Sequence, residues 1–187
     1  MLQYYLSLIE TEEDKKTFSE IYEVYQESLY NYSFSLLKNA SDAEDALQNA
    51  FCNIIRAMSV PEDIHSTKVK NYLYATVHHC CVDILREKQK RGCEISVDLY
   101  PDIFPDNKLL DEQYFVNETY REAIEKLKSF SPEMVAPFTL YYYNNFSYTQ
   151  VANLLNITEV AARKRVSRVR KAIKAAIGKG ESDEQKK

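Results

Sequence analysis

Between Glu159 and Glu181 the chain carries no acidic residue, yet Arg163, Lys164, Arg165, Arg168, Arg170, Lys171, Lys174 and Lys179 all lie there. Guanidinium and ammonium groups at this density, with no carboxylate among them, suit phosphate oxygens and the acceptor edges of nucleic-acid bases. Ordinary surface helices mix their signs, so a merely solvated face is the weaker reading. A second group, His78-His79-Cys80-Cys81, has the side chains of a metal site. On a helix, however, only His78 and Cys81 share a face, and two ligands do not close a zinc site. The four cysteines form no CxxC pair, which favours reduced thiols. There is no phosphate-cradling glycine loop, paired-carboxylate constellation or nucleophile triad, so neither a catalytic residue nor a cofactor is expected.

The elements that carry these groups read as helices. All three glycines lie at Gly92, Gly178 and Gly180, and Pro61 is the only proline before residue 92; strands and hairpins need more tight turns than that. Phe18, Ile21, Tyr22, Tyr25, Leu29, Tyr32 and Leu36 follow spacings of three and four and predict one buried stripe. Ser41, with Glu44 three residues on, predicts a capped second helix that turns Ala43, Leu47, Ala50, Phe51, Ile54 and Ile55 inward. A third helix is expected from about Lys68 to Lys90, stopped at Gly92. Residues 92–115 hold acids, prolines and little periodicity, as a linker does. Helices resume near Val116, with Ile124, Leu127 and Phe130 apolar. Ser131-Pro132 then starts a helix that Pro137 should bend or shorten.

Near the end, Ser147 and Gln150 form a capping box, Asn156 suits a left-handed turn, and Thr158 caps the next helix. Helix, short turn, helix is the helix-turn-helix arrangement. On the second helix Ala162, Val166, Val169, Ile173 and Ile177 form an apolar stripe opposite the cations, with Arg165 at its margin. Leu140-Tyr141-Tyr142-Tyr143 reads as core packing. Net charge is partitioned: −6 over residues 1–60, 0 over 61–100, −3 over 101–130, +6 over 131–180 and −1 over 181–187. The expectation is an all-α protein of two small helical domains, 1–91 and 116–180, joined by the linker 92–115 and followed by a charged tail, 181–187. The N-terminus MLQYYLSLIETEEDKK lacks the basic start of a signal peptide. No apolar run reaches the length of a membrane span, so a cytoplasmic protein without membrane insertion is expected.

Three stretches together resemble bacterial RNA polymerase sigma factors of the extracytoplasmic-function, sigma-70-like family. SDAEDALQNAF (41–51) is similar to the family's DAEDLxQExF. VKNYLYATVHHCCVDILREKQKR (69–91) resembles its aromatic WLY…RN…D-LRR helix. FSPEMVAPFTLYYYNNFSYTQVANLLNITEVAARKRVSRVRKAI (130–173) resembles its second domain. The resemblance implies a binding and specificity subunit. Asp42, Glu44, Asp45, Gln48 and Phe51 would dock on core RNA polymerase. Lys68, Lys70, Tyr72, Tyr74, His79 and Arg86 would hold the opened minus-10 promoter element. Arg163, Lys164, Arg165, Ser167 and Arg168 would read the minus-35 element. The linker would follow the RNA path, and an anti-sigma factor is an implied partner.

The chain departs from the pattern at several places. Asn49 replaces an acid and Tyr72 a frequent tryptophan. Ala75 and His79 stand at Arg and Asn positions, the loop 59–68 lacks a glycine, and Val160-Ala161 replace Gly-Thr. Two alternatives stand beside this reading. One is a stand-alone helix-turn-helix regulator whose front domain senses or dimerises. The other is an enzyme with a metal among His78, His79, Cys81 and Asp83.

Overall fold

The computed structural model describes residues 1–57, 63–92 and 123–184, with the side chains of the last stretch described as far as residue 176. Most of the expected linker, the expected helix start at Val116, Pro61, and the side chains of Ile177 and Lys179 lie outside the described residues. Every regular element among the described residues is helical, and the chain divides into two compact units, Met1–Asp98 and Leu99–Lys187. No described helix is long and apolar enough to cross a membrane.

The first unit is built around α2 (Glu12–Leu37). Thr11 caps it, its hydroxyl taking the Asp14 N–H at 3.1 Å, and three acids in the first turn complement the helix dipole. The stripe expected from the spacing is buried: Phe18, Ile21, Tyr25, Leu29, Tyr32 and Leu36, with Tyr22 half-buried at its edge. Lys38 closes the helix in the left-handed conformation, its N–H on the Phe34 carbonyl. The next helix, α3 (Ala40–Ala57), is capped by Asn39 and not by Ser41 as its sequence suggested. Asn39 Oδ1 takes the Asp42 N–H at 2.9 Å. The turn at Lys38 already delivers Asn39 to the capping position, and asparagine caps as well as serine does.

Ser66 caps α4 (Thr67–Arg91), and Gly92 ends it with φ 65, a conformation costly to any residue with a Cβ. Helices α2, α3 and α4 pack on one another and bury Leu73, Tyr74, Val77 and Cys81 from α4. A short helix with no counterpart in the sequence reading, α1 (Leu2–Ser7), lays Tyr5 against Phe18, Tyr22 and Phe51 at ring separations of 5.6, 5.9 and 5.5 Å. It closes one end of the core.

In the second unit, residues 123–128 (α5) are helical and bury Ile124 and Leu127. Pro137 neither stops nor shortens α6 (Pro132–Tyr142), which continues to Tyr142 with the proline buried inside it. A proline cannot donate to the carbonyl four residues back, so the Glu133 carbonyl must find another donor. The aromatic run at its end is only partly core: Leu140 is buried, Tyr141 half-buried, and Tyr142 and Tyr143 are exposed. Helices α7 (Tyr148–Leu155) and α8 (Glu159–Glu184) complete the unit, both packed on α6 and on each other.

Candidate nucleic-acid interface and docking face

Side chains cap the start of α7 and fix the turn that leads from it into α8. Ser147 accepts the Gln150 N–H at 3.2 Å while Gln150 Oε1 accepts the Ser147 N–H at 2.7 Å. Asn156 takes the left-handed position at φ 51, and Thr158 accepts the Ala161 N–H at 3.2 Å. Each of these matches the sequence reading. Ala162, Val166 and Val169 are fully buried beneath α8, so the helix cannot rotate about its axis without exposing them. Ile173 is half-buried.

This anchoring sorts the five cations and hydroxyls expected to read DNA. At 100° per residue, Lys164, Ser167, Arg168 and Lys171 lie opposite the buried stripe; Lys164, Arg168 and Lys171 are exposed and Ser167 half-buried. Lys164, Arg165, Ser167 and Arg168 line one groove of about 760 Å³, with Met134 from α6 beside them. Arg163 is not part of that groove. It leans toward α7, its guanidinium carbon 4.6 Å from the centre of the Tyr148 ring, and bonds Glu159 Oε1 through Nε at 3.0 Å and Nη2 at 2.6 Å. The cation run is therefore not wholly unpaired: its first member has a carboxylate one turn back. That pairing holds the Glu159 carboxyl below its ordinary range and raises Arg163, each by hydrogen bonding to the other first of all.

Arg165 leans the other way. Its Nη1 reaches the Glu133 carbonyl at 3.4 Å, the group that Pro137 leaves without a helical donor. Two flanking arginines thus tie α8 to its neighbours, Arg163 to α7 and Arg165 to α6, and the arc between them faces outward. Glu159 at i and Arg163 at i+4 was a pairing legible from spacing. Pro137 as the cause of the Arg165 contact was not, since the two are far apart in sequence.

On α4 the six residues expected at the minus-10 element separate into two sets. Lys68, Tyr72, His79 and Arg86 recur at helical spacing along one exposed face, with Tyr72 45% exposed. Arg86 there is paired with Asp83 at 3.4 Å. Tyr74 lies on the opposite face, 1% exposed, its ring edge-on to Tyr32 at 5.5 Å; this removes it from any base-stacking surface. Lys70 is on that side too, half-buried, and burial lowers its pKa.

The polymerase-docking set separates in the same way. Glu44 and Asp45 are exposed and Gln48 half-buried on the face of α3 turned away from its core. Phe51 is a core residue instead, 0% exposed and wedged among Tyr5, Phe18 and Tyr22. Asp42 forms an ion pair with Lys88, which joins α3 to the end of α4.

Within His78-His79-Cys80-Cys81, Cys81 is buried in the core, His78 and Cys80 are half-buried and His79 is exposed. Tyr32 Oη lies 2.9 Å from His78 Nδ1, and burial, aided by His79, lowers the His78 pKa to about 4. Burial likewise pushes the Cys81 thiol up to about 12. Among the described residues no three histidines, cysteines or acids converge as a metal site.

Comparison with known proteins finds a sigma-70 region in each unit. Residues 21–91 match Sigma-70 region 2 and residues 118–173 match Sigma-70, region 4. The chain is 29% identical over 172 residues to the ECF RNA polymerase sigma factor SigM of Bacillus subtilis (strain 168), covering 90% of this chain and 99% of that one. It is 24% identical over 173 residues to SigW of the same organism, covering 88% and 90%. Its fold is similar to that of the sigma factor RpoE from Bartonella quintana, solved in complex with the anti-sigma factor NepR. That match has a TM-score of 0.63 and 19% identity, and covers 87% of this chain and 98% of that one. With both conserved regions in order on two helical units, the chain belongs to the extracytoplasmic-function sigma-70 family, non-enzymatic subunits that direct RNA polymerase to promoters.

Proposed function

We propose that this sigma factor divides its work by surface. The exposed acidic face of α3, Glu44, Asp45 and Gln48, docks on core RNA polymerase. The exposed strip of α4, Lys68, Tyr72, His79 and Arg86, holds the opened minus-10 element. Arg163, Lys164, Arg165, Ser167 and Arg168 on α8 serve the minus-35 element, with the two flanking arginines also bracing the helix. In this reading residues 1–91 and 116–180 are the two working domains and 92–115 the connection between them. The observation that carries it is the contrast between an acidic front, net −6 over residues 1–60 with Glu44 and Asp45 exposed on α3, and a basic end, net +6 over 131–180 with Lys164, Arg168 and Lys171 exposed on α8. Charge complementarity of this kind speeds and orients docking, and free cations opposite a buried stripe suit the phosphate backbone. An anti-sigma factor belongs among the partners, a reading supported by the solved relative that was captured with one. The site of action is the cytoplasm, where polymerase and promoter meet.

Run-off transcription with core polymerase on genomic fragments tests the division. Reversing Arg163 and Arg168 to Glu should abolish promoter use and leave core binding intact. Asp45→Arg with Gln48→Ala should weaken core binding first. Unchanged transcription in the first variant, or unchanged core affinity in the second, would move the corresponding surface elsewhere. A protein that shifts duplex DNA alone yet never directs polymerase would favour the stand-alone regulator.

A further inference from the structure

Arg163 is held on three sides. Glu159 Oε1 accepts from its Nε and Nη2. The Thr149 hydroxyl donates to the other oxygen of that carboxylate, Oε2, at 2.9 Å, so the acid is itself tied to the first turn of α7. The Tyr148 ring lies under the guanidinium, and Tyr141 stacks on Tyr148 at 4.2 Å with the ring planes 16° apart. A residue from α6, two from α7 and one from α8 thus set the plane and the direction of one side chain.

A guanidinium has five N–H donors in a rigid fork. Glu159 occupies the side-on pair, Nε–H and one hydrogen of Nη2. The end-on pair, one hydrogen from each Nη, is left over. That end-on pair is the fork that matches O6 and N7 of guanine in the major groove. An unheld arginine loses rotamer freedom when it grips a base; here that freedom is already restricted in the free protein. The partner carboxylate also offsets the cation's general attraction to phosphate, so what remains is directional.

We propose that Glu159, Thr149 and Tyr148 are positioning residues that preset Arg163 as the reader of one guanine in the upstream promoter element. The inference rests on the assignment of α8 to that element. It distinguishes Arg163 from Lys164, Arg168 and Lys171, which stand free on the outer arc and follow the backbone charge.

The test takes a promoter captured by the holoenzyme from genomic fragments, randomises its upstream element, and scores the base preference at each position. Arg163→Ala should erase a guanine preference at one position only. Glu159→Gln should lower the preference at that same position about tenfold, in the range set by one bidentate contact. Binding of Glu159→Gln to unrelated duplex DNA should hold or strengthen, because a negative charge near phosphate is gone. Tyr148→Leu should act like Glu159→Gln, and Tyr148→Phe, which keeps the ring, should restore the preference. A structural defect would instead lower preference and non-specific binding together, at every position. If Arg163→Ala erases one preference while Glu159→Gln and Tyr148→Leu leave it intact, the positioning role is wrong and the α8 assignment stands. If Arg163→Ala changes no preference, Arg163 is not the reader and the proposal falls; the α8 assignment falls with it only where Arg163→Glu with Arg168→Glu also leaves promoter use unchanged.

Discussion

His78 should make the first unit acid-sensitive in a window that can be calculated. Its Nδ1 faces the Tyr32 hydroxyl at 2.9 Å inside the helix bundle, and its pKa falls from 6.5 to about 4. Tyr32 is fully buried, and burial drives its own pKa well upward, so a protonated hydroxyl shares one hydrogen bond with a neutral imidazole. Because the folded pKa lies below the unfolded one, the unfolded chain binds more protons between those two values. Stability is therefore whole above about pH 6.5 and falls as the pH drops toward about 4. Integrating this single group from about pH 7.5 to about pH 5 gives a loss of about 2 kcal/mol. That is a large share of the stability of a small domain. Asparagine places an uncharged carboxamide, able to donate or accept, near the Nδ1 position, so His78→Asn should remove the slope while keeping the bond. The assay is urea unfolding of both proteins at the two pH values, followed by a signal from the first unit. Carboxylates titrate equally in both proteins, so the difference between them isolates His78. The variant should be less stable than the parent at the higher pH and should gain about 2 kcal/mol on it at the lower. Parallel losses in the two proteins would refute the argument.

Two other outcomes follow from packing. Phe51→Ala should cost the first unit about 3–5 kcal/mol through the cavity left among Tyr5, Phe18 and Tyr22, measured by thermal or urea unfolding; an unchanged midpoint would put the ring outside the core. Arg165→Ala should cost the second unit about 1 kcal/mol, and the same change should cost nothing in a Pro137→Ala background, where a backbone N–H returns to the Glu133 carbonyl. Equal costs in both backgrounds would break that link.

Much of the fold was legible because it rests on local rules. The α2 stripe, the Ser147 capping box, the Asn156 turn and the Gly92 stop each depend on residues within a few positions of one another. The errors have a common cause. Ser41 looked like a cap, but the turn at Lys38 had already placed Asn39 there. Tyr74 and Phe51 matched a motif whose spacing says nothing about which face is covered; α1 and Tyr32 decide that from elsewhere in the chain. Asp42, matched to the docking motif, is instead paired with Lys88, which α4 brings to it. Of the site on α8, the cations and the buried stripe could be read directly. The division into a free arc and two braced flanks needed α6 and α7 in place.

The Tyr25 hydroxyl donates to the Ile64 carbonyl at 3.1 Å, across 39 positions of sequence. Just beyond, Asp63 Oδ1 takes the His65 N–H at 2.8 Å and Ser66 opens α4. The approach to α4 is consequently moored to the central helix of the bundle. With α4 holding the opened promoter as proposed, a substitution that tilts α2 near Tyr25 would pull on that mooring and change promoter opening without altering a residue of the proposed DNA-facing strip.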